Sequence, residues 1–318
     1  MQLQGHKLGF KGQFSATLIG ADGKVKEFAD VNQRLRSGEP IRNRLLDAFF
    51  NRLNSVQNPV SSLSVRASAN TDPINDTSTT LVGQIVLNSG NWPVSSGVHT
   101  NAVVDAGLLK AQSTYTFTFT QGQITGNISK LAINYVPIST AANNEIHAEA
   151  LVVDNVGVPT TISPGIDEQL ILSYTLFMET SAADVVSAVV ADFNGTPTNV
   201  EVTQRWFALK DIRAYCDSRF TENGSTVLWA YSGALNDIDV TPTGSIGTIS
   251  TISYAYNVGG TAKETTWNAT ISQIVGNISV LNPGASSGIV KAGFNPPIPK
   301  TADDTLSITF RQTFGRLP

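Results

Sequence analysis

The sequence predicts a mainly β protein made of two tandem β-sandwich units, each with an N-terminal hairpin and one short α-helix. Three observations predict it: a repeat that runs along the whole chain, apolar–polar alternation in short segments, and Gly, Pro or Asn between those segments about every 8–12 residues. The expected units are 1–180, with a helix near 40–53, and 181–318, with a helix near 208–220.

The repeat is clearest where Gln123-Ile-Thr-Gly-Asn-Ile-Ser-Lys-Leu131 matches Gln273-Ile-Val-Gly-Asn-Ile-Ser-Val-Leu281, with seven of nine positions identical at an offset of 150. Weaker matches keep the same order. Asp22-Gly23 pairs with Asn194-Gly195, Val31–Arg34 with Val202–Arg205, Arg52-Leu53 with Arg219-Phe220, and Ile162–Tyr174 with Ile298–Phe310, the offset falling from 172 to 136. Collinear matches with a falling offset describe a duplicated unit whose first copy has the longer loops.

The first unit opens with Gln13–Ile19, which alternates, followed by Asp22-Gly23 and Val25–Phe28, a hairpin signal. The second has Val185–Val190, Asn194-Gly195 and Val200–Val202. Pro40 suits a first helical turn, and Ile41, Leu45, Phe49 and Leu53 recur at i+4 to form one apolar stripe. Leu209, Ile212, Cys216 and Phe220 form the corresponding stripe. Strands follow: Ser62–Ser68 and Tyr115–Thr120 alternate, and Leu170–Phe177 and Leu306–Phe310 close the units. Gly126 and Gly276, inside the repeated block, fit a bulge or turn that needs positive φ.

Composition excludes several classes. The 318 residues are 41% hydrophobic, enough for a real core, and only 14% charged. A single cysteine allows no intramolecular disulfide and no cysteine-based zinc site. No apolar run approaches the length of a membrane-spanning helix, and no hydrophobic leader opens the chain. The six Asn-x-Ser/Thr sequons are expected products of a Ser/Thr/Asn-rich composition.

Charge is unevenly placed. Residues 1–66 carry ten Lys/Arg against five Asp/Glu, and residues 67–204 carry two cations, Lys110 and Lys130, against twelve acids. Arg34, Arg36, Arg42, Arg44 and Arg52 either coat the solvent face of the first helix or, with Phe50 and the Leu3–Phe10 segment, dock an acidic partner surface. The basic residues are not interleaved with aromatics as a single-strand nucleic-acid groove requires, so no nucleic-acid partner is expected.

No nucleophile elbow, Walker loop, Rossmann glycine set or HExxH is present. Cys216 reads as a buried structural thiol. His147 in Glu145-Ile-His-Ala-Glu149 reads as part of a solvated strand face, with a metal or sugar contact as the sharper alternative. Asp72, Asn75 and Asp76, and Asn236, Asp237 and Asp239, fall at comparable places and read as turn chemistry before calcium loops. Trp92 is the one fair sugar-stacking candidate; Trp267 aligns with Phe117 and reads as core. Asp167-Glu168 and Asp303-Asp304, taken as neighbours on strands, would point to opposite faces and could not flank one glycosidic bond. No catalytic, cofactor or metal site follows.

Three groups of residues carry a resemblance: Gly12-Gln-Phe-Ser-Ala-Thr-Leu18 with Asp22-Gly23-Lys-Val25 and Asn32; Asn70–Thr77 before Leu81 and Gly83; and Phe117, Gly126-Asn127-Ile128, Leu131, then Leu170, Tyr174 and Leu176. In this order they resemble a family of tailed-bacteriophage virion proteins. The second unit departs from it by lacking the Asn-Thr-Asp stretch. The resemblance implies a non-enzymatic structural protein of the virion, in the tail, collar, baseplate or fibre, made in the bacterial cytoplasm. Its partners would be other virion proteins, copies of itself and a host surface glycan, with no membrane insertion and no cofactor. The alternatives are a capsid decoration protein and the carbohydrate-binding module of a receptor-binding protein.

Overall fold

The structure is a computed structural model that describes residues 1–26, 41–53, 63–94, 97–105, 107–135, 145–153, 158–193, 195–206, 228–237, 240–249, 251–256, 262–269, 274–283 and 290–317. The protein is mainly β. In chain order the elements are β1 (Gln2–Ile19), β2 (Ile41–Leu45), α1 (Asp47–Leu53), β3 (Leu63–Ser68), β4 (Gly97–Asp105), β5 (Leu108–Phe119), β6 (Lys130–Tyr135), β7 (Ile146–Leu151) and β8 (Gln169–Ser181). They continue as β9 (Val185–Phe193), β10 (Thr196–Trp206), β11 (Leu228–Tyr231), β12 (Ser245–Ile249), β13 (Thr251–Tyr256), β14 (Ala262–Ala269), β15 (Gly276–Pro283), β16 (Val290–Lys300) and β17 (Leu306–Arg316).

An eleven-stranded sheet curls as a half-barrel, and a six-stranded sheet runs β12-β11-β15-β16-β10-β9. The boundary expected near residue 180 falls between β8 and β9, and the strands beyond it are shared between the two sheets: β13, β14 and β17 belong to the larger one. One contiguous core serves both, with Phe10, Phe14, Phe117 and Leu172 in the same cluster as Trp206, Ile278 and Ile308.

β1 joins the parts. From Gly9 to Ile19 it pairs antiparallel with β8, without a break, and Gly12–Phe14 pair with β2 on the other side. From Gln2 to Phe10 it pairs parallel with β17, with an irregularity between Gln4 and Lys7. The terminal amine of Met1 donates to Ser307 O at 2.9 Å, and Leu317 N donates to Phe10 O at 2.8 Å, so both ends of the chain are fixed to the same ladder.

Residues related by the sequence repeat meet corresponding partners. Phe117 faces Leu172 across β5 and β8, as Trp267 faces Ile308 across β14 and β17. Ile128 bridges Ile162, as Ile278 pairs with Ile298. Ala67 faces Leu131, as Ala230 faces Leu281. Gly126 and Gly276 both take the expected positive φ, 93° and 136°.

The first helix is shorter than its stripe predicts. Residues 41–45 form β2, because Ile41–Asn43 pair with β1 while Arg44 and Leu45 pair with β7. A segment wedged between two strands satisfies its backbone in the ladder, and i+4 periodicity yields to tertiary pairing. α1 begins at Asp47, with an acid in its first turn and Arg52 in its last, both favourable to the helix dipole. The second helix expected, with Cys216, lies outside the described residues.

Candidate functional site

Of the six residues expected at a docking face, Arg34 and Arg36 lie outside the described residues and Arg42 lies in β2. The other three are engaged within the chain. Arg44 is exposed and donates from Nη2 to Asp76 Oδ2 at 2.7 Å. Arg52 is only 7% exposed, with Nε 3.4 Å from Glu145 Oε2. Phe50 is 5% exposed, edge-on to Phe49 and Phe10, with the Arg316 guanidinium 5.0 Å from its ring centroid. Of the arginines expected on a solvent-facing helix, Arg52 is therefore corrected to a buried position, and Phe50, expected at a docking interface, is buried within the chain. The apolar side of α1 turns them inward, and Glu145 supplies the countercharge that lets Arg52 follow.

His147 and Glu149 are likewise buried, at 1% and 3% exposed, where a solvated strand face was expected. The cause is cover. Leu46 N donates to His147 O, Ile146 N donates to Thr79 O, and Phe49 stands edge-on to the imidazole at 6.5 Å. His147 Nε2 lies 3.9 Å from Glu145 Oε2, and hydrogen bonding to His147 holds the Glu145 carboxyl below its usual pKa against the burial that opposes this. Burial pushes Glu149 up, partly offset by Lys130, whose buried Nζ lies 3.9 Å away. Within this group His147, Glu149 and Lys130 are buried by their own chain, and Glu145 is half-buried.

The oxygen-rich loops hold the chain's own cations. In the first, Asn70 Oδ1 accepts from Asp72 N at 2.6 Å, Asn75 Oδ1 accepts from Thr77 N at 3.1 Å, and Asp76 faces Arg44 and Arg316. In the second, the fully buried Lys291 donates from Nζ to the carbonyls of Asp237 and Val240, the latter at 2.9 Å. Arg205 adds a contact to Asn236 O at 3.4 Å and a fork on Asp184, with Nη2 to Oδ2 at 2.6 Å, which holds the Asp184 carboxyl below its usual pKa. Asp239 lies outside the described residues, among which no group of three His, Cys, Asp or Glu could hold a metal.

Trp92 is half-buried, edge-on to Phe119 at 5.9 Å and capped by Arg66, whose guanidinium sits 5.0 Å from the ring centroid and whose pKa burial lowers to about 10. A ring occupied in this way is a poor sugar platform. Trp267 lies in β14. The carboxylate pairs are not on strands, a second correction. Asp167-Glu168 and Asp303-Asp304 sit in the turns before β8 and β17, where Glu168 Oε2 accepts from Gly165 N and Asp304 Oδ2 from Thr301 N, each at 2.8 Å. They close the same turn in the two halves.

Three organising residues escaped the sequence reading. Lys291 carried a usable signal, a lone cation in the apolar run Ile289–Phe294; Arg316 and Asp184 carried none, since their partners are distant in sequence. A cleft of about 520 Å³ lies between β9 and the start of β17, lined by Met1, Val190–Phe193, Lys300 and Asp303–Ser307. In the first half the corresponding seam is closed, with Leu18 against Leu170 where the second has Val190 and Leu306. No protein-family model, curated protein or solved structure matches the chain.

Proposed function

We propose that the chain is a non-enzymatic structural protein of a bacteriophage virion, built from a duplicated unit and assembling with copies of itself and other virion proteins. One observation carries the reading. Described side chains singled out for chemistry, His147, Glu145, Glu149 and Asp76, are spent on holding the chain's own helix and loops. Outward the molecule offers sheet edges and loops, and β9 exposes Val186 and Val190 at 60% and 68%. The matched registers of the two halves support the duplication, and the sequence resemblance supplies the virion context. Mass spectrometry of purified particles from the parent phage tests it: the protein is expected at a fixed stoichiometry to the portal or tail proteins. Its absence from particles, or turnover of host polysaccharide by the purified chain, would sink the reading.

A further inference from the structure

We propose that Gln2–Leu8 is an exchangeable strand and the edge of β17 its acceptor, so that copies of this chain link by giving this strand to the β17 of a neighbour. The proposal deepens the structural reading above and rests on its self-assembly.

The argument starts from the repeat. In the first half, β8 takes its edge strand from β1, in an antiparallel ladder that runs from Gly9↔Glu179 to Ile19↔Gln169. By the offsets of the repeat, β17 corresponds to β8 and β9 to that part of β1. Yet among the described residues β9 pairs only with β10, and the seam between β9 and β17 stands open as the cleft. β17 is completed by a strand from the opposite end of the chain, running parallel to it. The second half is thus a sandwich finished by a donated strand.

Donation within one chain and donation between copies use the same contacts. Leu8 is fully buried, and His6 packs on Trp206 with ring centroids 4.6 Å apart, so the donated strand carries side chains that the acceptor side buries. What differs is only how donor and acceptor are linked, the condition under which strand swapping costs little. The donor half is also the less firmly held part of β1. Its ladder is parallel and irregular between Gln4 and Lys7, whereas the antiparallel half on β8 is unbroken. Residues 9–19 can therefore stay anchored on β8 while Gln2–Leu8 changes partner. Donor and acceptor are different surfaces of one chain: reciprocal exchange between two copies closes a dimer, and exchange passed on from copy to copy yields a ring or a filament.

The test uses Lys7 and Thr313, which face each other in the register. K7C and T313C are made as separate full-length chains, each with Cys216→Ser to remove the only native thiol. The two are mixed, concentrated and oxidised, and analysed on a non-reducing gel. Exchange predicts a reducible cross-linked dimer at least tenfold more abundant in the mixture than with either chain alone. A dimer no more abundant in the mixture overturns the proposal. The chain carrying both substitutions reports the register: loss of both free thiols without cross-linking between chains at every concentration means that the strand stays in its own molecule, and also overturns it. Neither gel depends on particles. Cross-linking by a chain absent from phage particles would retain the exchange and discard the virion reading, and the reverse result would do the opposite.

Discussion

Arg316 shows how much one side chain near the end of the chain organises. Its Nε donates to Leu45 O at 2.7 Å, its Nη2 meets Asp47 Oδ1 at 2.6 Å, and its plane covers Phe50. It thereby ties β17 to the helix of the first half. Arg316→Ala is expected to cost about 1–3 kcal/mol, since a charge-assisted hydrogen bond and a cation–π contact are lost together. Arg316→Lys should recover only part of this, because an ammonium cannot reproduce the fork. Urea midpoints measure both, and an Ala variant as stable as the parent would show that the hub is idle. Lys291 makes the complementary case. Lys291→Met keeps the volume but leaves the carbonyls of Asp237 and Val240 without this donor, an expected loss of about 2–3 kcal/mol. Adding calcium or a chelator to the parent protein should leave its midpoint unchanged; a calcium-dependent rise would show that a metal, not the ammonium, organises the loop.

At the scale of elements, β1 is the strand on which the others depend. His6 sits in its donor half, 2% exposed, with Nε2 3.3 Å from Gln204 O, and burial lowers its pKa. The sign follows from linkage. The unfolded chain binds a proton at His6 near pH 6.5 and the folded one resists it, so stability is full above that value and falls as the pH drops through it. Thermal midpoints measured from pH 8 to 5 should decline for the parent and less steeply for His6→Gln. Equal slopes would mean that His6 protonates without disturbing the strand. The helix shows the opposite dependence: seven residues are too few to hold α1 alone. Its place comes from Phe49 and Phe50 against Phe10 and from the charges at its two ends.

For the whole molecule, the shared strand argues against independent halves. The core is continuous, and β1 contributes to both parts of it. Calorimetry should therefore show one cooperative transition, with matching calorimetric and van't Hoff enthalpies, rather than two. Deleting residues 1–7 should lower that transition or split it, because β17 loses the strand at its edge. Two well-separated transitions in the parent protein, or a deletion that leaves the midpoint unmoved, would show that the halves fold alone. The sequence reading had counted Leu3–Phe10 as a surface available to a partner. Leu8 and Phe10 are fully buried within the molecule, so any partner that takes this segment must exchange it rather than lay a surface on it.

By itself the sequence determined the β class, the hairpin of β9 and β10, the offsets of the repeat and the positive φ of Gly126 and Gly276. Those properties are local: alternation follows the two-residue period of a strand, and a position needing positive φ selects glycine whatever lies beyond it. The tertiary structure decided the rest. It made 41–45 a strand by wedging it between β1 and β7, turned Phe50, Arg52 and His147 inward under a covering loop and helix, and filled the oxygen-rich turns with Lys291, Arg44 and Arg316. It also gave the edge of β17 to β1, some 300 residues away in the chain, instead of to β9. Which edge a strand completes depends on partners brought together only by folding, and pairing energy does not record how far apart they lie in the sequence.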